Sequence, residues 1–281
     1  VARTGIDAND VEDILLGCAF PEGEQGLNLA RLVGLLAGLP LSVAGVTINR
    51  FCGSSMQSIH SAAGSIRMGA GECFICAGVE SMTRVPMMGF NPLPNPRLHQ
   101  MQPGAYMGMG ETAEIVARRY QVTRADQEAF AVASHRKAAA ADFSAEIVMV
   151  GEAGRDGCIR PDTSAEILAA LPPVFQADGT ITAGTSSPLT DGAAAVLVCS
   201  ADYARKNNLE PLARIKAIAV SGCEPEIMGM GPVHASRKAL ARAGLTVADI
   251  DIVEINEAFS SQAIACLREL GVDDSRVNLD G

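Results

Sequence analysis

The stretch "VTINRFCGSS", residues 46–55, joins a β-branched run to a cysteine, then to Gly-Ser-Ser and the start of a helical pattern. A structural thiol needs no such setting, because a buried cysteine packs as a small hydrophobe wherever the core has room. A nucleophilic thiol does. The thiolate is the reactive form, the positive end of a helix favours it, and a following glycine leaves space for an incoming carbonyl. Two readings of Cys52 therefore stand side by side: a core thiol, or a nucleophile presented at a strand–helix junction. None of the other seven cysteines has this setting.

Outward from this junction, residues 41–80 read as one β-α-β unit. "GVTINRF" is an extended run; Met56, Ile59, Ala63 and Ile66 follow at helical spacing; "CFICAGV" (73–79) is a second apolar strand. A continuous apolar strand suits a sheet covered on both faces. Residues 84–110 then turn rich in Pro and Gly, which excludes regular structure over most of the stretch. Its apolar content predicts a packed, irregular loop region. "GETAEIVARRY" (110–120) and "TRADQEAFAVASHRKAAAA" (123–141) are helical, the second opening on a Thr123–Asp126 capping-box pattern. "DGAAAVLVCS" (191–200) predicts another buried strand.

The last third repeats this plan: strand (213–222), helix (234–245), strand (249–255), then "NEAF" and a helix with Phe259, Ala263, Ile264, Leu267 and Leu270 on one face. Cys52 and Asn256 thus occupy matching strand–polar residue–helix junctions. In α/β sheets ligands collect at the carboxyl ends of strands, where two such residues can meet. The Asn256 amide can stabilise a developing oxyanion or hold a water; it also suits a helix N-cap. Glu257 reads equally as a first-turn dipole partner or a site carboxylate.

Composition narrows the partners. A chain of 281 residues predicts two domains, or one with a large insertion. The formal charge of −10 argues against nucleic acid or an anionic membrane surface, though not against an anionic small molecule in a cleft. Eight dispersed cysteines do not make a disulfide framework and read as reduced thiols in a cytoplasmic setting. Cys73 and Cys76 form a lone CxxC inside an apolar strand, read as core thiols rather than half a zinc site. No apolar run approaches the roughly 18 residues of a membrane span. The "GMGETA" and "GMGP" groups do not open a βαβ unit, so dinucleotide binding is not supported. None of His60, His99, His135 and His234 is placed as a base for Cys52.

Six motifs in order, "NRFCGSSMQSIHSAA", "AGVESMTRVPM", "YMGMGETAE", "TAGTSSPLTDGAAA", "MGMGPVHASRKAL" and "VEINEAFSSQA", resemble the thiolase family over essentially the whole chain. "FNPLPNP" and "INRFCGSSMQ" are most similar to its degradative, 3-ketoacyl-CoA branch. The resemblance implies an α/β thiolase fold: two similar halves, each with a mixed five-stranded sheet between helices, plus an inserted loop domain. The expected boundaries are 1–83 for the first half, completed by about 190–211; 84–189 for the loop domain; and 212–281 for an incomplete second half. It implies Cys52 as the acylated nucleophile and Asn256 as the residue positioning a water in an oxyanion hole. Ser187 would contact the pantetheine arm of coenzyme A, and Met109, Met228 and Phe259 would line the acyl pocket. It further implies CoA as a substrate with no other cofactor and no metal, and a homodimer or homotetramer. The family's catalytic histidine and second cysteine are absent and would lie beyond Gly281. Residues 1–281 are accordingly expected to be part of a longer protein and not competent in turnover by themselves. The implied activity is thiolytic cleavage of a 3-ketoacyl-CoA. Claisen condensation of two acetyl-CoA molecules, or a catalytically silent acyl-CoA-binding relative, are the alternatives.

Overall fold

The computed structural model describes the whole chain, Val1–Gly281. In chain order its regular elements are β1 (Asp13–Gly17), α1 (Leu29–Leu36), β2 (Ala44–Ile48), α2 (Ser54–Arg67) and β3 (Cys73–Glu80). Then follow α3 (Pro96–Met101), α4 (Met109–Arg119), α5 (Arg124–Ala140), α6 (Ala165–Ala169) and β4 (Gly192–Cys199). The last three are α7 (Ala201–Lys206), α8 (Gly231–Ala243) and α9 (Ser260–Leu270). The chain divides into two compact units: Val1–Leu93 with Leu189–Lys216, and Pro94–Pro188 with Ala217–Gly281.

The first unit is built on a four-stranded mixed sheet of order β2-β1-β3-β4. β1 lies parallel to both β2 and β3, with Leu15 opposite Val46 on one side and Cys76 on the other. β4 closes the sheet antiparallel to β3. Strand alternation sends Ile14, Leu16 and Cys73 to one face, where they pack with Val11, Val43, Ala30 of α1 and Tyr203 of α7. Leu15, Phe74 and Cys76 go to the other face, against Ala62, Ile59 and Ile66 of α2. The central strands are therefore covered on both sides, as their apolar runs predict.

The second unit is mainly helical. Val116 of α4, Val233 of α8 and Ile264, Ala265 and Cys266 of α9 share a core with Val122, Ile227 and Met230. Thr123 Oγ1 accepts the Asp126 N–H, and Asp126 Oδ2 accepts the Thr123 N–H, each at 3.1 Å, so the predicted capping box starts α5. α9 is buried from Ser260 through Leu267, on every face rather than one.

Three expectations need correction. The paired five-stranded sheets are not formed: the sheet has four strands, and the second unit contains only isolated bridges such as the parallel one between Val253 and Val277. Extended propensity becomes a ladder only where a neighbouring strand is available. Instead, Lys238 Nζ donates to the Val220 carbonyl and Arg242 Nη1 to the Ile218 carbonyl, so side chains of α8 satisfy backbone that a strand partner would otherwise take. β4 is not fully buried either; it is the sheet edge, and its residues Gly192–Val196 are exposed. The 84–110 stretch is less packed than expected. Met87, Met88, Phe90, Leu93 and Met101 remain exposed, because chain broken by Pro and Gly presents no continuous face to bury.

Candidate functional site

Cys52 sits in a short 3-10 turn, Phe51–Gly53, between the end of β2 and the first residue of α2. Its thiol is exposed. The bend is made at Phe51, whose φ of +45° is in the left-handed region that a bulky residue seldom adopts. Such a conformation persists only where its surroundings over-determine it. Here they do: Asn49 Oδ1 accepts the Phe51 N–H at 2.8 Å, and Ser54 Oγ accepts the Arg50 N–H at 2.8 Å while donating to the Phe51 carbonyl.

Two glycines seat the turn on the sheet. A Cβ on Gly17, the last residue of β1, would lie 2.4 Å from backbone atoms of Ser54 and Ser55. One on Gly78 of β3 would lie 2.6 Å from Cβ of Ser55. The N-terminus of α2 therefore rests directly on the carboxyl ends of two strands, two residues after Cys52. The positive end of a helix at that place favours the thiolate form.

The other cysteines differ. Burial pushes the thiols of Cys18, Cys73, Cys76 and Cys266 up to about 11. Cys199 and Cys223 are shifted in the same direction by the same cause. His60, on α2, lies six residues and about 9 Å of helix rise beyond Ser54; burial first and the Arg50 charge second lower its pKa. His135 is engaged elsewhere, accepting the Arg160 N–H at 3.2 Å through Nδ1.

The remaining predicted residues lie in the second unit. The Asn256 side chain is exposed and makes no hydrogen bond within the chain. Its reading as a helix cap falls, because α9 begins at Ser260 with Phe259 in the cap position. The two junctions are therefore not equivalent. Cys52 stands two residues before its helix, whereas an irregular segment separates Asn256 from α9.

That segment is held by Asn278, which the sequence reading missed. Asn278 Oδ1 accepts the Ile255 N–H at 2.9 Å, and its Nδ2 donates to the Ile255 carbonyl at 2.9 Å and to Glu257 Oε1 at 2.6 Å. It is only 4% exposed and takes a φ of +41°. Glu257 is thus tied down by an amide and does not act as a first-turn partner of α9.

Ser187 and Phe259 come together on the other side of the same segment. The Ser187 N–H donates to the Ala258 carbonyl at 2.9 Å, and Ser186 bridges to Phe259. The Phe259 ring meets Phe175 edge-on at 5.9 Å. Phe175 in turn lies so close to Gly110 that a Cβ there would overlap its ring at 2.2 Å, which brings the start of α4 and Met109 to this neighbourhood. Met228 lies in a 3-10 turn, Pro225–Met230, whose Gly229 packs on Gln262 of α9. The second unit therefore gathers Ser187, Phe259 and Met109 around the "NEAF" segment, with Met228 beside α9. Glu114 anchors the loop leading to them: buried on α4, its carboxylate accepts the N–H groups of Thr180 and Ile181 at 2.9 Å.

The thiolase N-terminal domain family matches residues 1–202, and the thiolase C-terminal domain family matches residues 209–281. The chain belongs to the thiolase family. Among its relatives, it is 47% identical over 300 residues to a 3-ketoacyl-CoA thiolase of Bacillus subtilis (strain 168), covering 99% of this chain and 77% of that protein. It is 50% identical over 293 residues to a 3-ketoacyl-CoA thiolase of Marinomonas sp. (strain MWYL1), covering 98% of this chain and 75% of that one. The crystal structure of human mitochondrial 3-ketoacyl-CoA thiolase superposes with a TM-score of 0.89 at 35% identity, covering 100% of this chain and 77% of that one. The thiolase fold expected from the motifs is thus borne out. No helix is long and apolar enough to cross a membrane.

Proposed function

We propose that the protein cleaves 3-ketoacyl-CoA with free CoA, giving acetyl-CoA and an acyl-CoA shortened by two carbons. The observation that carries this reading is the exposed Cys52 in its bent turn on the N-terminus of α2, in a chain 45–50% identical to several enzymes named 3-ketoacyl-CoA thiolase. The Cys52 thiolate attacks the 3-keto carbon. The C2–C3 bond breaks, its electrons leave as the acetyl-CoA enolate, and that enolate takes a proton at C2. The thiol of CoA then attacks the Cys52 thioester, releasing the shortened acyl-CoA and restoring Cys52. Coenzyme A enters as substrate, and the chemistry calls for no metal or other cofactor.

In this reading Asn256 supports an oxyanion through an ordered water; its exposed, uncommitted amide suits the task. Ser187 meets the pantetheine arm, and Met109, Met228 and Phe259 form the apolar lining for the acyl chain. The exposed apolar side chains of residues 87–101 support association with further copies of the chain, as a homodimer or homotetramer. The test is release of acetyl-CoA from a 3-ketoacyl-CoA in the presence of CoA, by the protein carrying this chain and by its Cys52→Ala variant. The variant is expected to release none above background. Full release by the variant overturns the proposal.

A further inference from the structure

We propose that Glu80 is a positioning residue for Cys52, acting through the 18–20 turn and Asn49; the inference rests on Cys52 being the nucleophile. Glu80 ends β3, and its carboxylate gathers four donors. Oε2 accepts the Ala19 N–H at 2.7 Å; Oε1 accepts the Phe20 N–H at 3.3 Å, Gln25 Nε2 at 2.8 Å and the Cys18 thiol at 3.7 Å. Gln25 completes the clamp. It is 4% exposed, donates a second time to the Phe20 carbonyl at 2.9 Å, and accepts the Ser81 N–H. Charge-assisted bonds of this kind are roughly twice as strong as neutral ones.

The clamped turn reaches the nucleophile by three routes. The Cys18 N–H donates to the Ile48 carbonyl at 3.0 Å, at the end of β2. The Ala19 carbonyl accepts Asn49 Nδ2 at 2.9 Å, which orients the same side chain whose Oδ1 holds the Phe51 N–H. The Phe20 ring lies 6.0 Å from the Phe51 ring. Glu80 therefore fixes the 18–20 turn, the turn fixes Asn49 and the Phe51 ring, and those two hold the left-handed bend that aims the thiol. A carboxylate that only sealed the end of a strand would need neither the Asn49 link nor the ring contact.

The experiment measures acyl transfer from a 3-ketoacyl-CoA to Cys52, located by peptide mass spectrometry, together with kcat, KM and melting temperature. The variants are Glu80→Gln, Glu80→Ala and Asn49→Ala, alone and with Glu80→Gln combined with Asn49→Ala. Glu80→Gln keeps the shape but turns an amide N–H toward backbone donors. A misplaced reacting group costs of order 10²-fold, so each single variant is expected to lower kcat by about tenfold or more with KM within about twofold. Because both residues act on one bend, the double variant is expected to match the slower single variant within about twofold rather than multiply the losses. A lowered melting temperature with kcat unchanged, a rise in KM alone, or multiplying losses overturns the inference. If Glu80→Ala fails to fold, Glu80→Gln and Asn49→Ala, whose side chain is exposed, decide the matter. Acyl transfer to a residue other than Cys52 in the unsubstituted protein would instead refute the nucleophile assignment itself, so the two failures are distinguishable.

Discussion

The turn that carries Cys52 is shaped by its own neighbours, whereas the segment that carries Asn256 is shaped by a side chain 23 residues after Ile255. Around Cys52, Asn49 and Ser54 hold the Phe51 bend, and Gly17 and Gly78 let α2 sit down on the strand ends. Around Asn256, the buried Asn278 amide pairs with Ile255 on both sides and draws Glu257 to itself. The first device is strain contained by local packing. The second is one amide substituting for a strand neighbour. They should fail differently: a strained turn loses its aim when a neighbour changes, while an amide-held segment loses stability and aim together.

The largest effect is expected at the nucleophile. Cys52→Ala should lower turnover by about 10⁴-fold or more, since removing a nucleophile in a concerted set costs of order 10⁶-fold elsewhere. Its exposure means the melting temperature should scarcely move. Asn256→Ala comes next. Loss of an oxyanion-stabilising group costs ~3–4 kcal/mol of barrier, so steady-state rates should fall by two orders of magnitude or more. Because Asn256 pairs with nothing in the chain, a calorimetric scan should show little change. A large loss of stability with near-normal turnover would mean that Asn256 serves the fold.

Asn278→Ala sharpens the contrast. It strips partners from both backbone groups of Ile255, and buried groups left unpaired cost about 1–3 kcal/mol each. Melting temperature and turnover should fall together, unlike either variant above. Gly17→Ala probes the other side. Its Cβ would meet the Ser54 backbone rather than a movable side chain, and overpacking of that kind costs ~1–3 kcal/mol. Slower alkylation of Cys52 beside that loss is the expected result; unchanged alkylation would mean the seat of α2 does not aim the thiol.

The smallest effect is a dependence on pH. Cys18, Cys73, Cys76 and Cys266 titrate near 11 in the folded chain against 9.0 when free, because burial disfavours the thiolate. Their folded values are raised, so their contribution to stability is intact below about pH 9 and fades as pH rises toward 11. Melting temperatures measured across pH 8 to 11 should decline through that window. A flat profile would mean these thiols are not desolvated.

Much of this was readable along the chain. The strand–turn–helix order around Cys52, the apolar run of β3 and the capping box of α5 are each written in residues within a few positions of one another, so local pattern suffices to place them. The candidate residues Cys52, Asn256, Ser187, Met109, Met228 and Phe259 came from motifs of the same short range. What escaped depends on pairing across distance. Whether "DIDIVEI" becomes a strand is decided by a partner, and it finds only the Val277 bridge. Asn278 lies near the end of the sequence, and Glu80 directly follows the apolar run 73–79. Nothing beside either in sequence announces the backbone groups each one holds. The positive φ of Phe51 had no residue-type signal, since glycine, the usual marker of such a bend, stands two positions later.

The central claim is that Cys52 alone among the eight cysteines takes the acyl group. The most direct measurement mixes the protein with acetoacetyl-CoA, quenches in acid, and locates the thioester by peptide mass spectrometry. Acetyl on Cys52, with Cys18, Cys73, Cys76, Cys158, Cys199, Cys223 and Cys266 unmodified, is the predicted result. Acetyl on any of those seven, with Cys52 free, would contradict the account.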